Sequence, residues 1–128
     1  MKMIGQTLPD ISGRRILVVE DERLLALDLQ DILEGWGCKV IGPAASALAA
    51  LALIEGNPPE AAILDVHLRG ETSEPVADAL LAQGRPFLVL TAYQRRDLPG
   101  VLGDAPLLRK PVDEKKLQQE LASLFAAA

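Results

Sequence analysis

Five short apolar runs recur along the chain, and segments with the spacing of amphipathic helices separate them. The runs lie at residues 16–19, 39–41, 61–64, 87–90 and 105–108. A short apolar run bounded by turn residues is typical of a buried strand. Regular alternation of strand and helix predicts an α/β fold, in which helices cover both faces of a five-stranded parallel sheet.

Length and composition place this sheet in one domain with an aliphatic core. The chain has 128 residues, of which 49% are hydrophobic and only 3% aromatic. Residues 1–13 show no clear periodicity and are expected to form a flexible N-terminal leader. We therefore expect the domain to span residues 14–126, without a second domain and in particular without a DNA-binding module.

Charge and hydropathy argue against several classes of function. The net charge of −5 disfavours a basic surface for nucleic acid. No apolar run is long enough to cross a bilayer and no signal peptide opens the chain, which predicts a cytoplasmic protein without membrane attachment. Cys38 and His67 are the only residues of their types, so neither an intramolecular disulfide nor a zinc-binding histidine cluster is expected. Cys38 is expected to be a small apolar filler.

Turn and capping residues predict where the first elements end and begin. Gly42 is expected to close the second strand, and a loop through Gly70 is expected to follow the third. Ser46 and Ser73 are good N-caps for the second and third helices, because their hydroxyl oxygens can accept from the first free amides.

The segments after the fourth strand are less regular. Pro99 and Gly100 interrupt residues 93–103, which predicts a short or mobile helix there. The final helix is expected to begin at Pro111 or Val112.

Polar side chains stand at the carboxyl ends of four of the predicted strands. Glu20 and Asp21 follow the first strand, Asp65 ends the third, Thr91 ends the fourth and Lys110 follows the fifth. Ligands bind at this edge of open α/β sheets, so residues distant in sequence can converge there. Three carboxylates, a hydroxyl and an ammonium are the ingredients of a metal-assisted phosphoryl site.

Each of these residues also has a purely structural explanation. Asp65 could cap the following segment, and Glu20 and Asp21 could be carboxylates favoured at a helix start. Thr91 could be an ordinary strand residue, and Lys110 a solvated one. Their occurrence together at successive strand ends favours the functional interpretation.

At these positions the chain resembles the receiver domain of two-component response regulators. The resemblance covers about residues 14–126, and its matching segments are 16–22, 62–66, 88–92 and 109–111. It implies a flavodoxin-like doubly wound sheet with strand order 2-1-3-4-5. It also implies a phosphoacceptor signalling domain rather than an enzyme, one that catalyses only its own phosphorylation and dephosphorylation.

The resemblance implies a role for each matching residue. Asp65 would accept a phosphoryl group from a sensor histidine kinase or a histidine phosphotransfer protein, Thr91 would bond that group, and Lys110 would pair with it. Ala92 matches the small residue that leaves the phosphorylation site accessible.

A magnesium ion is implied at the same position. Its protein ligands would be Glu20, Asp21, Asp65 and the backbone carbonyl of His67. The imidazole of His67 is not expected to bind, because Mg²⁺ prefers oxygen ligands.

The sequence departs from the family pattern in its last strand. Leu107 stands where the family often has Tyr or Phe, whereas Tyr93 lies two residues after Thr91. Residues 90–93 partly resemble a variant receiver subfamily with a Phe-Ala-Thr-Gly-hydrophobic-Tyr pattern. We therefore expect residues 93–103 to reorder on phosphorylation and to change a surface that includes the last strand and helix. These two elements are also the expected face of any homodimer.

Three other functions remain open from the sequence. The chain could keep the fold as an interaction module that is never phosphorylated. An aspartyl-phosphate hydrolase would need a second acid two residues after Asp65, where His67 stands. A flavin-binding protein would need a phosphate-binding loop after the first strand, where acidic residues 20–22 would repel phosphate.

Overall fold

The sheet contains five parallel strands in the order expected for a doubly wound fold. This computed structural model describes residues 10–127. Its sheet strands are β1 (Arg15–Val19), β2 (Lys39–Ala44), β3 (Ala61–Asp65), β6 (Phe87–Thr91) and β7 (Leu107–Arg109). They lie in the order β2-β1-β3-β6-β7, and every neighbouring pair is parallel. The predicted order is confirmed.

Four helices cover the two faces of this sheet. They are α1 (Arg23–Gly35), α2 (Ala47–Gly56), α3 (Glu74–Ala82) and α4 (Glu114–Ala127). Buried residues of α1 and α4 share one hydrophobic cluster, and those of α2 and α3 share the other. Both faces are therefore buried, as parallel sheets require.

Alternating residues of the central strands supply the two clusters. In β1, Ile16 and Val18 pack with α1 and α4, whereas Leu17 and Val19 pack with α2 and α3. Successive side chains of a strand point to opposite faces, so a strand buried on both sides must be apolar throughout. This explains why the runs appear in the sequence without polar interruption.

Two predicted boundaries are wrong. Strand β2 does not stop at Gly42 but continues to Ala44, because the Ala44 carbonyl accepts a hydrogen bond of 2.9 Å from the Glu20 amide. Helix α4 begins at Glu114 rather than at Pro111 or Val112. Asp113 precedes it, and its Oδ1 accepts from the Lys116 amide at 3.2 Å, as an N-cap does.

The segment after β3 is a hairpin instead of a simple loop. Strands β4 (His67–Leu68) and β5 (Glu71–Thr72) pair antiparallel. Gly70 stands in the connecting turn with a φ of 75°, a value that residues with a Cβ rarely adopt. The hairpin follows directly from the strand that ends in Asp65.

Only one of the two predicted serine caps uses its hydroxyl. Ser46 Oγ accepts from the Ala49 amide at 3.1 Å, which confirms the prediction for α2. Ser73 occupies the N-cap position of α3, but its buried hydroxyl makes no capping bond. The hydroxyl of Thr72 accepts from the Glu74 amide instead, at 3.3 Å.

Residues 93–103 form no α-helix. Two 3-10 helices, Arg95–Asp97 and Gly100–Asp104, connect β6 to β7. The Arg95 guanidinium donates to the carbonyl oxygens of Gly103 at 2.9 Å and Ala105 at 2.7 Å. The prediction of short helical structure is confirmed, and the mobility of this segment stays a prediction.

The packed part of the chain begins before residue 14. Ile11 is buried in the cluster of α1 and α4, and its carbonyl accepts from Cys38 Sγ at 3.4 Å. Cys38 is itself buried, as predicted. The rest of the predicted leader, residues 1–9, lies outside the described residues. Among the helices of residues 10–127, none is long and apolar enough to cross a bilayer.

Candidate functional site

The five polar residues predicted at the strand ends lie along one edge of the sheet. Asp65 and Thr91 are the last residues of β3 and β6, and Glu20 and Lys110 directly follow β1 and β7. Strands β1, β3 and β6 are adjacent in the middle of the sheet, and β7 pairs with β6. The parallel fold therefore brings residues that are up to 90 positions apart to the same crevice.

Three carboxylates form a compact group in this crevice. One oxygen atom from each of Glu20, Asp21 and Asp65 lies within 4.8 Å of the others. Glu20 and Asp65 are 2% and 6% exposed, and Asp21 is half-buried. Crowded carboxylates repel one another, so this arrangement needs compensating positive charge.

Lys110 supplies part of that charge. Its Nζ lies 3.2 Å from Glu20 Oε1 and 3.3 Å from Asp65 Oδ2. Burial alone would lower the pKa of this ammonium, but the charges of Asp65 and Glu20 outweigh burial and hold the pKa above its usual value. Lys110 is therefore charged and sits between the two most buried carboxylates.

Glu20 is only partly compensated. Its Oε2 accepts from the Glu22 amide at 3.0 Å, whereas its buried Oε1 accepts no hydrogen bond among the described residues. Burial, reinforced by the neighbouring charge of Asp65, raises the pKa of Glu20 to about 7. Three carboxylates, one of which has a buried oxygen that only the Lys110 ion pair compensates, suit a hard divalent cation. The residues present thus fit a metal site.

Thr91 links this crevice to the segment that follows β6. The side chain is 1% exposed, and its Oγ1 accepts from the Tyr93 amide at 3.0 Å. The Thr91 carbonyl accepts from the Lys110 amide at 2.9 Å. A change in the position of the Thr91 hydroxyl would therefore act directly on the Tyr93 amide.

Tyr93 and His67 contact each other beside the crevice. Their ring centroids are 4.4 Å apart with an interplanar angle of 60°. Both residues are exposed, and Tyr93 retains 52% of its accessible surface. Ala92 is also exposed, whereas Leu107 is half-buried and packs against the cluster of α2 and α3. All four positions stood out in the sequence, but the contact between Tyr93 and His67 was not predicted.

Glu71 has a role that sequence reasoning missed. Its Oε2 accepts from the Ala47 amide at 3.1 Å, so the hairpin after Asp65 helps to cap α2. The two residues are 24 positions apart and belong to different elements. No local spacing rule could have paired them.

Comparison with known sequences and solved structures finds relatives of this chain. No protein-family model matches the chain. Among curated sequences, the phyllosphere-induced regulator PhyR of Methylorubrum extorquens is 34% identical over 111 residues, covering 84% of this chain and 42% of PhyR. The chain spans about half the length of the curated relatives it matches.

Among solved structures, one relative matches this chain over almost its own full length. SdrG from Sphingomonas melonis is 39% identical with a TM-score of 0.77, and the match covers 88% of this chain and 97% of SdrG. The response regulator PhyR from Brucella abortus is 29% identical with a TM-score of 0.77, covering 90% of this chain and 49% of that one. SdrG has also been solved in a BeF3-activated conformation, with a TM-score of 0.74.

Proposed function

Because the chain belongs to the response-regulator receiver family, we propose that it accepts a phosphoryl group on Asp65 and transmits this state through protein contacts. The donor is a sensor histidine kinase or a histidine phosphotransfer protein. The observation that carries the proposal is the arrangement around Asp65, with Glu20 and Asp21 on one side and Lys110 3.3 Å away.

The proposed reaction transfers a phosphoryl group from nitrogen to oxygen. The phosphorus–nitrogen bond of a phosphohistidine breaks as a carboxylate oxygen of Asp65 bonds to phosphorus, and the imidazole leaves with the electron pair. Lys110 would pair with the phosphoryl oxygens, and the Thr91 hydroxyl would donate a hydrogen bond to one of them. Both contacts favour the charged product.

A magnesium ion is part of this proposal. Glu20, Asp21, Asp65 and the main-chain carbonyl of His67 would hold it, and it would neutralise the negative charge of carboxylates and phosphoryl group. The buried Oε1 of Glu20 supports this assignment, because the Lys110 ion pair offsets its charge without a hydrogen bond to it, and a bound cation would compensate it further.

The phosphoryl group is proposed to act on the segment after β6. It adds about −1.5 to −2 charge at Asp65, which draws the Thr91 hydroxyl and Lys110 toward it. Since Thr91 Oγ1 also accepts from the Tyr93 amide, residues 93–103 then reorder. The related SdrG has a BeF3-activated conformation, which supports a conformational response of this chain to phosphorylation.

Further features of the proposal follow from the family. The output is contact with a downstream protein, in a cytoplasmic setting, and self-association would use the last strand and helix. Apart from its own phosphorylation and dephosphorylation, the domain is proposed to have no enzymatic activity.

The test is intact-protein mass after incubation with Mg²⁺ and acetyl phosphate, or with Mg²⁺ and beryllofluoride. We expect one phosphoryl group or one beryllofluoride adduct per chain, lost in Asp65→Asn. Asp78→Asn is the matched control, because Asp78 is exposed on α3 and lies outside the carboxylate cluster. No adduct under conditions that modify a known receiver would overturn the proposal in favour of an unphosphorylated interaction module.

A further inference from the structure

Helix α2 is apolar on the side that faces solvent. Among its ten residues only Glu55 is charged. Leu48, Ala49 and Ala52 are exposed and Leu51 is half-buried; we call these four residues the α2 face. Leu48, in the first turn of the helix, keeps 79% of its accessible surface.

Another surface helix of the domain shows the usual pattern. Helix α1 also exposes a leucine, Leu24, at 81%, but Asp28, Asp31 and Glu34 accompany it on the exposed side. A surface helix normally combines one apolar stripe with a polar outer face, and a helix that is apolar all round is normally buried. The composition of α2 is that of a helix covered on both sides.

The exposed charged residues of α2 and α3 are acidic. Glu55 lies in the last turn of α2, and Asp78 is exposed on the neighbouring α3. Neither α2 nor α3 contains a lysine or an arginine. A partner that covers the α2 face with an apolar surface therefore gains from basic residues at its borders.

We propose that the α2 face docks an amphipathic helix of a partner protein, with an apolar stripe bordered by lysine or arginine. Ten helical residues extend about 15 Å, so a partner segment of about ten to fifteen residues matches the length of the face. The same helices of a second copy carry no lysine or arginine and so offer no complementary charge, and an anionic lipid surface would repel the acidic residues. Charge complementarity thus favours a basic partner.

The proposal goes beyond phosphoacceptance and does not depend on it. The test is an NMR titration of the unmodified protein with a synthetic helical peptide of about fourteen residues, carrying a leucine stripe bordered by lysines. We expect amide shift changes concentrated in residues 45–56. A peptide with glutamate in place of lysine is expected not to bind, since it meets the acidic border with like charge.

Two variants make the assignment specific. Leu48→Glu is expected to weaken peptide binding about ten-fold or more, because it replaces a highly exposed leucine of the apolar contact with a charge. Leu24→Glu is the matched control, since it changes an equally exposed leucine on α1, and it should leave the affinity within about two-fold. Amide shifts that change only near the substituted residue would show that both variants fold.

Three results would overturn the proposal. Shift changes could map to α1, or the two glutamate variants could weaken binding equally, and either result would indicate general attraction to an acidic protein. Concentration-dependent shifts of residues 45–56 without peptide would identify a second copy as the occupant. The titration contains no phosphoryl donor, so its result does not depend on whether Asp65 can be phosphorylated.

Discussion

The Nζ of Lys110 lies 3.2 Å from Glu20 Oε1, yet this oxygen accepts no aligned hydrogen bond. The ion pair therefore offsets the charge of Glu20 without fully replacing the water that burial removes. As a result, the protonation of Glu20 depends on what else occupies the crevice, and the metal-free domain should respond to pH.

Without Mg²⁺, the free energy of unfolding is expected to fall as pH rises from about 4.5 to about 7. In this window the folded chain binds more protons than the unfolded one, because the pKa of Glu20 is about 7 when folded and 4.5 in an unstructured chain. The loss approaches about 3 kcal/mol if Glu20 accounts for all of it. Urea unfolding across this window measures it.

Glu20→Gln provides the control for this pH dependence. The amide does not titrate, so the slope in this window should largely disappear, and saturating Mg²⁺ should reduce the slope of the native chain. An unchanged slope in Glu20→Gln would assign the effect to another group.

Thr91→Ala is expected to separate phosphorylation from its readout. Asp65 should still acquire the phosphoryl mass, whereas the amide shift changes of residues 93–103 should fall well below those of the native chain, because the hydroxyl that joins the two regions is missing. Intact-protein mass with acetyl phosphate measures the first effect, and NMR with beryllofluoride measures the second. Thr91→Ser keeps the hydroxyl and should restore most of the response; a native-like response in the alanine variant would contradict the mechanism.

Arg95→Ala is expected to loosen the segment between β6 and β7. It removes two hydrogen bonds to carbonyl oxygens, which together contribute about 1–3 kcal/mol locally. Amide hydrogen exchange of residues 100–105 should become faster. Arg96→Ala is the neighbouring control, since in the described part of the chain Arg96 donates no side-chain hydrogen bond; equal effects of both changes would rule out the contact.

Glu71→Ala is expected to destabilise the domain by about 1 kcal/mol, as the loss of a helix cap does. The largest amide shift change outside the hairpin should be at Ala47. Glu71→Gln keeps an oxygen acceptor and should cost less free energy of unfolding. If the alanine and glutamine variants unfold at the same urea concentration, the cap contributes little.

The strands were predictable because both faces of the sheet are buried, whereas their order was implied by the family resemblance. Residues 61–64 and 87–90 must be apolar throughout to fill two hydrophobic clusters, and that need is visible in the sequence. The convergence of Glu20, Asp65 and Lys110 followed from the same parallel arrangement. The family resemblance then supplied their chemistry.

The features that were missed depend on contacts or on weak local signals. Two-residue strands such as β4 and β5 have no periodicity to detect, and the bond from Glu71 to Ala47 joins distant elements. The start of α4 could have been found, since Asp113 is a common N-cap type, but Pro111 gave the competing signal. Continuation of β2 past Gly42 depends on pairing with the residue after β1.

Because Ile11 is buried against Cys38, the reactivity of the Cys38 thiol reports whether the N-terminal segment is packed. Burial, reinforced by the charge of Asp10, raises the pKa of the Cys38 thiol, so the reactive thiolate is scarce while Ile11 covers it. Trimming the chain to residue 14 would remove this cover. Alkylating reagents would then reach a sulfur that the longer chain protects, and the boundary of the folded unit becomes readable from the rate of one covalent reaction.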